Sequence, residues 1–331
     1  MNYSESKSIF EKIKGAKKIL INCHYSPDPD SVASCTSLYQ VLTDMGKDVM
    51  MVCPDNLPEE IKFLKNTEKI KYVDYKFFDF SKYDLFIVLD CSAWMQAAGD
   101  KETAVPSIEI VSIDHHVGSG SEKFAQTNLI DGQASSTCEV LFNIFKDWNV
   151  TVDKDIATNL LTGIYGDTGA FQYNTTKIST LYVSGELLEN GADMNYIVLN
   201  LFRSLDFEVL KFWGELLSKM RVDAEYKFIW SALNYESISK YTKIKKAKST
   251  AASLFSRIIK DTEFGMIIIE TRKGVTSVSL RERNGFDVSK IAAELGGGGH
   301  KSAAAAEVRG LPFDEAVEKV LEVARKYAKQ K

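Results

Sequence analysis

The sequence predicts an α/β protein: a parallel-sheet domain joined by a helical connector to a smaller α+β domain. Two observations predict it. In the first half, near-continuous apolar runs alternate with segments of helical periodicity, as buried parallel strands and their crossover helices do. After about residue 222 the pattern changes to a paired hairpin flanked by helices.

Each element follows from its residues in order. Residues 18–23, 47–53, 84–90 and 108–114 read as buried strands. Between the first two, residues 31–45 read as a helix closed by Gly46. Ser136-x-x-Glu139 is a capping-box pattern that opens a helix, and a second helix follows near 153–164. Residues 176–222 read as helical, broken once at Gly191. In the last third, 227–233 and 265–283 read as strands, the latter a pair turning at Lys273-Gly274. Residues 288–295 and a terminal stretch from Pro312 read as helices.

Composition narrows the function. The 331 residues carry a net charge of -4, which argues against a long nucleic-acid groove and leaves room for a short substrate. No apolar run approaches the ~18 residues of a membrane span, and residues 1–18 lack an apolar signal core. A cytoplasmic protein with no membrane partner is expected. Five cysteines, odd in number and without a Cys-x-x-Cys pair, read as buried free thiols.

The chemistry gathers at strand ends. "INCHYSPDPDS" offers His24, Asp28 and Asp30; "FIVLDCS" offers Asp90; "VSIDHHVG" offers Asp114, His115 and His116; "GIYGDTGAF" offers Asp167. In open α/β sheets ligands bind at the carboxyl ends of the strands, where all of these could meet. Carboxylates crowded in one crevice must take up protons or hold cations. Imidazole and carboxylate without thiolate suit Mn²⁺, Mg²⁺, Fe²⁺ or Co²⁺, with Zn²⁺ an option. Six or seven ligands are too many for one ion and fit two ions ~3.5–4 Å apart, bridged by a carboxylate and a water. Singly, each residue has a plainer reading. Asp28-Pro29-Asp30 would make a simple turn, and Asp114 could orient a neighbouring histidine instead of touching metal. Together they weigh more, because every one of the four histidines lies in a suspect segment. The fourth, His300, follows Gly296–Gly299 in "ELGGGGHKSAAAA". Those glycines are either a linker or a phosphate cradle whose N–H groups open a following helix. Arg281 in "VSLRER" could add a bidentate clamp; Arg283 could do so instead.

As a set these residues resemble the DHH phosphoesterase family in its DHH–DHHA1 form. "HYSPDPDS", "VLDCS", "DHH", "GDTGAF" and "GGGGHKSAAA" resemble five of its motifs in the family's order, and the likeness runs from about 18 to 308. Length and layout are nearest its nanoRNase and pAp phosphatase group. The resemblance implies a catalytic DHH domain over 1–185, a helical connector over 186–222 and a substrate-binding DHHA1 domain over 223–331. It implies that His24 and Asp28 hold one manganese, that Asp30, His115 and Asp167 hold another, and that Asp90 bridges them. His116 would contact the scissile phosphate or protonate the leaving oxygen, with Asp114 in support. Gly297, Gly298, Gly299, His300 and Arg281 would grip a terminal phosphate or nucleotide.

Two departures stand out. The residue between the first two aspartates, often small in the family, is Pro29, which fixes φ. Many members also carry an arginine soon after "VLD", and "CSAWMQAAGD" has none. The expected activity is hydrolysis of very short oligonucleotides, and of pAp to AMP and phosphate, by hydroxide activated on two divalent ions, with Mn²⁺ first and Mg²⁺ or Co²⁺ as substitutes. The alternatives are a phosphodiesterase for linear or cyclic dinucleotides (pApA, cyclic di-AMP) and a nucleotide sensor without catalysis. The aromatic-rich connector could pair two chains into a homodimer.

Overall fold

The computed structural model describes residues 2–242 and 244–329. The chain divides into two compact units, Met1–Ser204 and Leu205–Lys331. The helices expected as a connector over 186–222 are shared between them.

The first unit runs α1 (Glu5–Gly15), β1 (Lys18–Asn22), α2 (Pro29–Asp44), β2 (Asp48–Cys53), β3 (Lys71–Tyr72), β4 (Leu85–Leu89), α3 (Trp94–Ala98), β5 (Glu109–Asp114), β6 (Thr127–Ile130), α4 (Thr137–Asp147), α5 (Lys154–Thr168), α6 (Ile178–Glu189) and α7 (Met194–Phe202). Its strands form one parallel sheet in the order β3-β2-β1-β4-β5-β6. β4 is buried along its whole length, as a strand covered on both faces must be. One face packs Ile19, Ile21, Ile87 and Val111 under α1, α2, α4 and α5. The other face buries Leu20, Phe86, Val88 and Ile110 against Tyr75, Phe124 and a half-buried Trp94. The strand order reverses between β1 and β4, and such a switch point opens a crevice at the carboxyl ends of those two strands.

The departure at Pro29 is resolved by its position. It is the first residue of α2, where a missing N–H and a fixed φ suit the helix. Asp28 caps that helix, its Oδ1 accepting from the N–H of Ser31 at 2.9 Å.

The second unit runs α8 (Phe207–Ser218), β7 (Arg221–Asp223), β8 (Phe228–Leu233), α9 (Tyr235–Ile238), α10 (Ile244–Ile258), β9 (Phe264–Arg272), β10 (Val275–Glu282), α11 (Ser289–Glu294), β11 (Gly298–Gly299), β12 (Ala303–Arg309) and α12 (Phe313–Ala328). Its sheet has the order β11-β12-β10-β9-β8-β7, with β8 and β9 parallel and the other neighbours antiparallel. The hairpin turns at Gly274, whose φ of +74° favours glycine.

One expectation is corrected here. The glycines do not open a helix. Residues 303–309 are the strand β12, alternately buried and exposed, and β11 pairs back onto it. Lys301 and Ser302 make the turn, with His300 and Ala303 exchanging backbone hydrogen bonds. Alanine's helix propensity yields to packing: a Cβ at Gly297 would lie 2.1 Å from the Ala305 carbonyl oxygen. Glycine facing alanine is what lets these two strands meet.

Candidate metal centre

The loops after β1, β4 and β5 and the end of α5 bring the expected ligands together. Their ligand atoms form three overlapping groups, each within 4.8 Å: His24, Asp28 and Asp90; Asp30, His115 and Asp167; Asp90, His115 and His116.

Asp90 sits at the middle. It follows β4 at the switch point, is 2 % exposed, and has a left-handed φ of +58°. That conformation costs on the order of 1–3 kcal/mol for most residues, least for Asp and Asn, and concentrates at functional sites. Its backbone N–H donates to the Ile113 carbonyl, which helps hold the turn. One carboxylate oxygen, Oδ2, faces His24 Nε2 at 3.4 Å. The other, Oδ1, faces His115 Nε2 at 3.6 Å. Both separations are longer than a hydrogen bond.

On one side, His24 Nδ1 lies 2.8 Å from the Tyr25 carbonyl oxygen, which can only accept. Nδ1 therefore carries a proton, and Nε2 is the nitrogen turned toward Asp90 and toward Asp28, 3.7 Å away, where a cation could take the place of its proton. That is the tautomer a metal ligand requires. On the other side, His115 Nε2 is 3.0 Å from Asp167 Oδ2. Asp30 is fully buried at the start of α2. Its Oδ2 accepts from the Thr137 N–H at 2.7 Å and its Oδ1 from the Cys138 N–H at 3.0 Å. The positive end of α4 thus offsets part of its charge.

Asp114 does not join the ligands. Its Oδ1 accepts from the N–H of His115 at 2.8 Å, from the N–H of His116 at 3.2 Å, and lies 2.6 Å from His116 Nδ1. It shapes the loop and turns the half-exposed His116 imidazole so that, among the described residues, Nε2 has no hydrogen-bond partner.

The electrostatics say what the cluster lacks. Burial raises the carboxyl pKa of Asp30, with Asp167 and Asp90 adding to it. Burial likewise raises Asp90 and pushes Asp167 to about 6. Burial opposes charge on the imidazoles, yet the neighbouring aspartates prevail, pushing His24 to about 11 and His115 to about 10. Among the described residues no lysine or arginine pairs with Asp28, Asp30, Asp90 or Asp167. Beside the α4 amides at Asp30, protons on the imidazoles and carboxyls are the positive charge the described residues supply there, and divalent cations replace protons well in an imidazole–carboxylate nest. The residues fit a metal centre.

Sequence reasoning missed three supporting positions. Thr137 touches two of the aspartates. Ser31 Oγ accepts from the His24 N–H at 2.9 Å. Gly163 lets α5 approach, since a Cβ there would lie 2.6 Å from Asp30 Oδ1. The capping signal at Ser136 did mark where α4 begins, but nothing local says that its first amides meet Asp30.

The remaining expected residues lie in the second unit. Arg281 pairs in register with Ala303, three residues past His300. Its guanidinium donates to Ser253 and Ser249 on α10. Gly298, Gly299, His300 and Lys301 are exposed beside it.

Comparison with known proteins agrees with the geometry. Residues 18–164 match the DHH family, N-terminal domain, and residues 230–330 match the DHHA1 domain. A bifunctional oligoribonuclease and PAP phosphatase NrnA of Thermus thermophilus is 28% identical over 330 residues, covering 98% of this chain and 94% of its own. One of the same name from Mycoplasma genitalium is 25% identical over 304 residues, covering 90% and 92%. Among solved structures, an exopolyphosphatase-related protein from Bacteroides fragilis superposes with a TM-score of 0.87 at 26% identity, covering 99% of this chain and 97% of that one. Both family domains occur in order and the acidic, histidine-rich nest lies at the switch point, so the chain belongs to the DHH family of metal-dependent phosphoesterases, in the form that carries a DHHA1 domain.

Proposed function

We propose that this protein hydrolyses very short oligonucleotides, and pAp to AMP and phosphate, at a centre of two divalent ions, Mn²⁺ before Mg²⁺ or Co²⁺. The observation that carries the reading is the carboxylate of Asp90, whose two oxygens face two different imidazoles. His24 and Asp28 would hold one ion, Asp30, His115 and Asp167 the other, and Asp90 would be shared between them. Ions held there would draw a nucleophile from water near neutral pH and offset charge on the phosphoryl oxygens. The other roles fall to the chain itself. Asp114 raises the basicity of His116 through their hydrogen bond, which favours the protonated imidazole. His116 Nε2 then donates that proton to the leaving oxygen. In the second unit, Arg281, Gly297 to Gly299 and His300 bind the terminal phosphate or nucleotide that fixes which end of the substrate is held. The substrate class is supported by the names of the two NrnA relatives.

That substrate class supports a cytoplasmic location as part of the same proposal; among the described residues no helix is long and apolar enough to cross a membrane. The exposed Leu181, Tyr182, Tyr196, Leu199 and Phe202 on α6 and α7 support pairing of two chains.

The test is a product analysis with labelled di- to pentanucleotides and pAp. Mn²⁺-dependent release of mononucleotides, and of phosphate from pAp, is expected, and Asp90→Ala is expected to abolish both. An inert metal-loaded protein, or an active Asp90→Ala variant, would refute the reading.

A further inference from the structure

Thr137 is the first residue of α4 and is fully buried. Its N–H donates to Asp30 Oδ2 at 2.7 Å. Its hydroxyl lies 3.1 Å from Asp90 Oδ1. One residue therefore ties a carboxylate of the second proposed ion to the carboxylate shared by both.

The hydroxyl bond has a specific consequence. The terminal torsion of an aspartate is soft, so the carboxylate does not hold its own plane. A bridging carboxylate must hold it, because a quarter turn takes both oxygens away from their imidazoles. The left-handed backbone at Asp90 decides where its Cβ points. The plane is left to whatever grips an oxygen, and Oδ1 is the oxygen gripped by Thr137. A plainer role, starting the helix, is already filled. Ser136 is the cap, its Oγ accepting from the Glu139 N–H at 3.1 Å.

We propose that the Thr137 hydroxyl is a positioning group that sets the plane of Asp90, so that each oxygen faces one cation. This rests on the two-ion reading above. Removing the hydroxyl leaves the amide of residue 137, and hence Asp30, untouched. It should weaken metal binding without dismantling the nest, as losses in the shell around a metal typically do, by about 10- to 100-fold.

The test measures Mn²⁺ binding to the full chain without substrate, by electron paramagnetic resonance of the free ion, for wild type, Thr137→Val and Thr137→Ser. Thermal midpoints in EDTA are taken alongside. The expected result is Mn²⁺ affinity ~10- to 100-fold weaker for Val, largely restored in Ser, with a midpoint in EDTA close to wild type for both. Wild-type affinity in the Val variant overturns the proposal, as does a lowered EDTA midpoint with unchanged affinity, which would mark a purely structural role. If Val does not fold, Thr137→Ala replaces it with the same expected and overturning results. A wild-type chain that takes up no pair of ions would instead overturn the underlying reading.

Discussion

Asp90, His24 and His115 define the behaviour of the metal-free protein. Both imidazoles hold protons far more tightly folded, at about 11 and about 10, than the free value of 6.5. A raised folded pKa gives stability that is complete below pH 6.5 and is lost as pH climbs through 10 and 11. Asp167, raised to about 6, pushes the same way lower down, since it favours the folded state less once ionised. The thermal midpoint of EDTA-treated protein should therefore fall steadily between pH 7 and 10, and a flat profile would mean the imidazoles are not paired with these carboxylates. Mn²⁺ should raise the midpoint as it replaces the protons. At this scale much of the cluster was legible: the six residues expected as ligands lie within reach of one another, because the segments that carry them border one crevice at the carboxyl ends of the strands. Thr137 was hidden because its role depends on where a distant helix begins.

Helix α5 meets α2 through two glycines. A Cβ at Gly163 would lie 2.3 Å from the Cys138 Sγ and 2.6 Å from Asp30 Oδ1; one at Gly166 would lie 2.8 Å from Pro29 Cβ. Two effects compete in Gly163→Ala. Helix propensity favours Ala by about 1 kcal/mol. Overpacking against buried atoms that cannot withdraw costs about 1–3 kcal/mol, and here it also presses on Asp30, an expected ligand. Net destabilisation of about 1 kcal/mol or more is expected, read by urea unfolding with EDTA; a stabilised variant would show that Asp30 is free to move. The long buried strands and the capped helices could be read from the sequence. The strand β12 could not, since its alanines favour helix and only pairing with β10 and the facing glycines of β11 makes it a strand.

Over the whole molecule, the sheet order places the carboxyl ends of β1 and β4 side by side, and the six expected ligands scattered from 24 to 167 converge there. That convergence was foreseeable from the alternation of strands and helices. The short edge strands β3 and β6 were not, being too brief or too exposed to leave an apolar signature. The central claim is that this convergence makes a seat for two cations with Asp90 between them. Anomalous scattering from crystals soaked in Mn²⁺ tests it most directly. The account predicts two peaks, one beside His24 and Asp28 and one beside Asp30, His115 and Asp167, ~3.5–4 Å apart with Asp90 touching both. A lone peak, or none, with Asp90 turned away would contradict it.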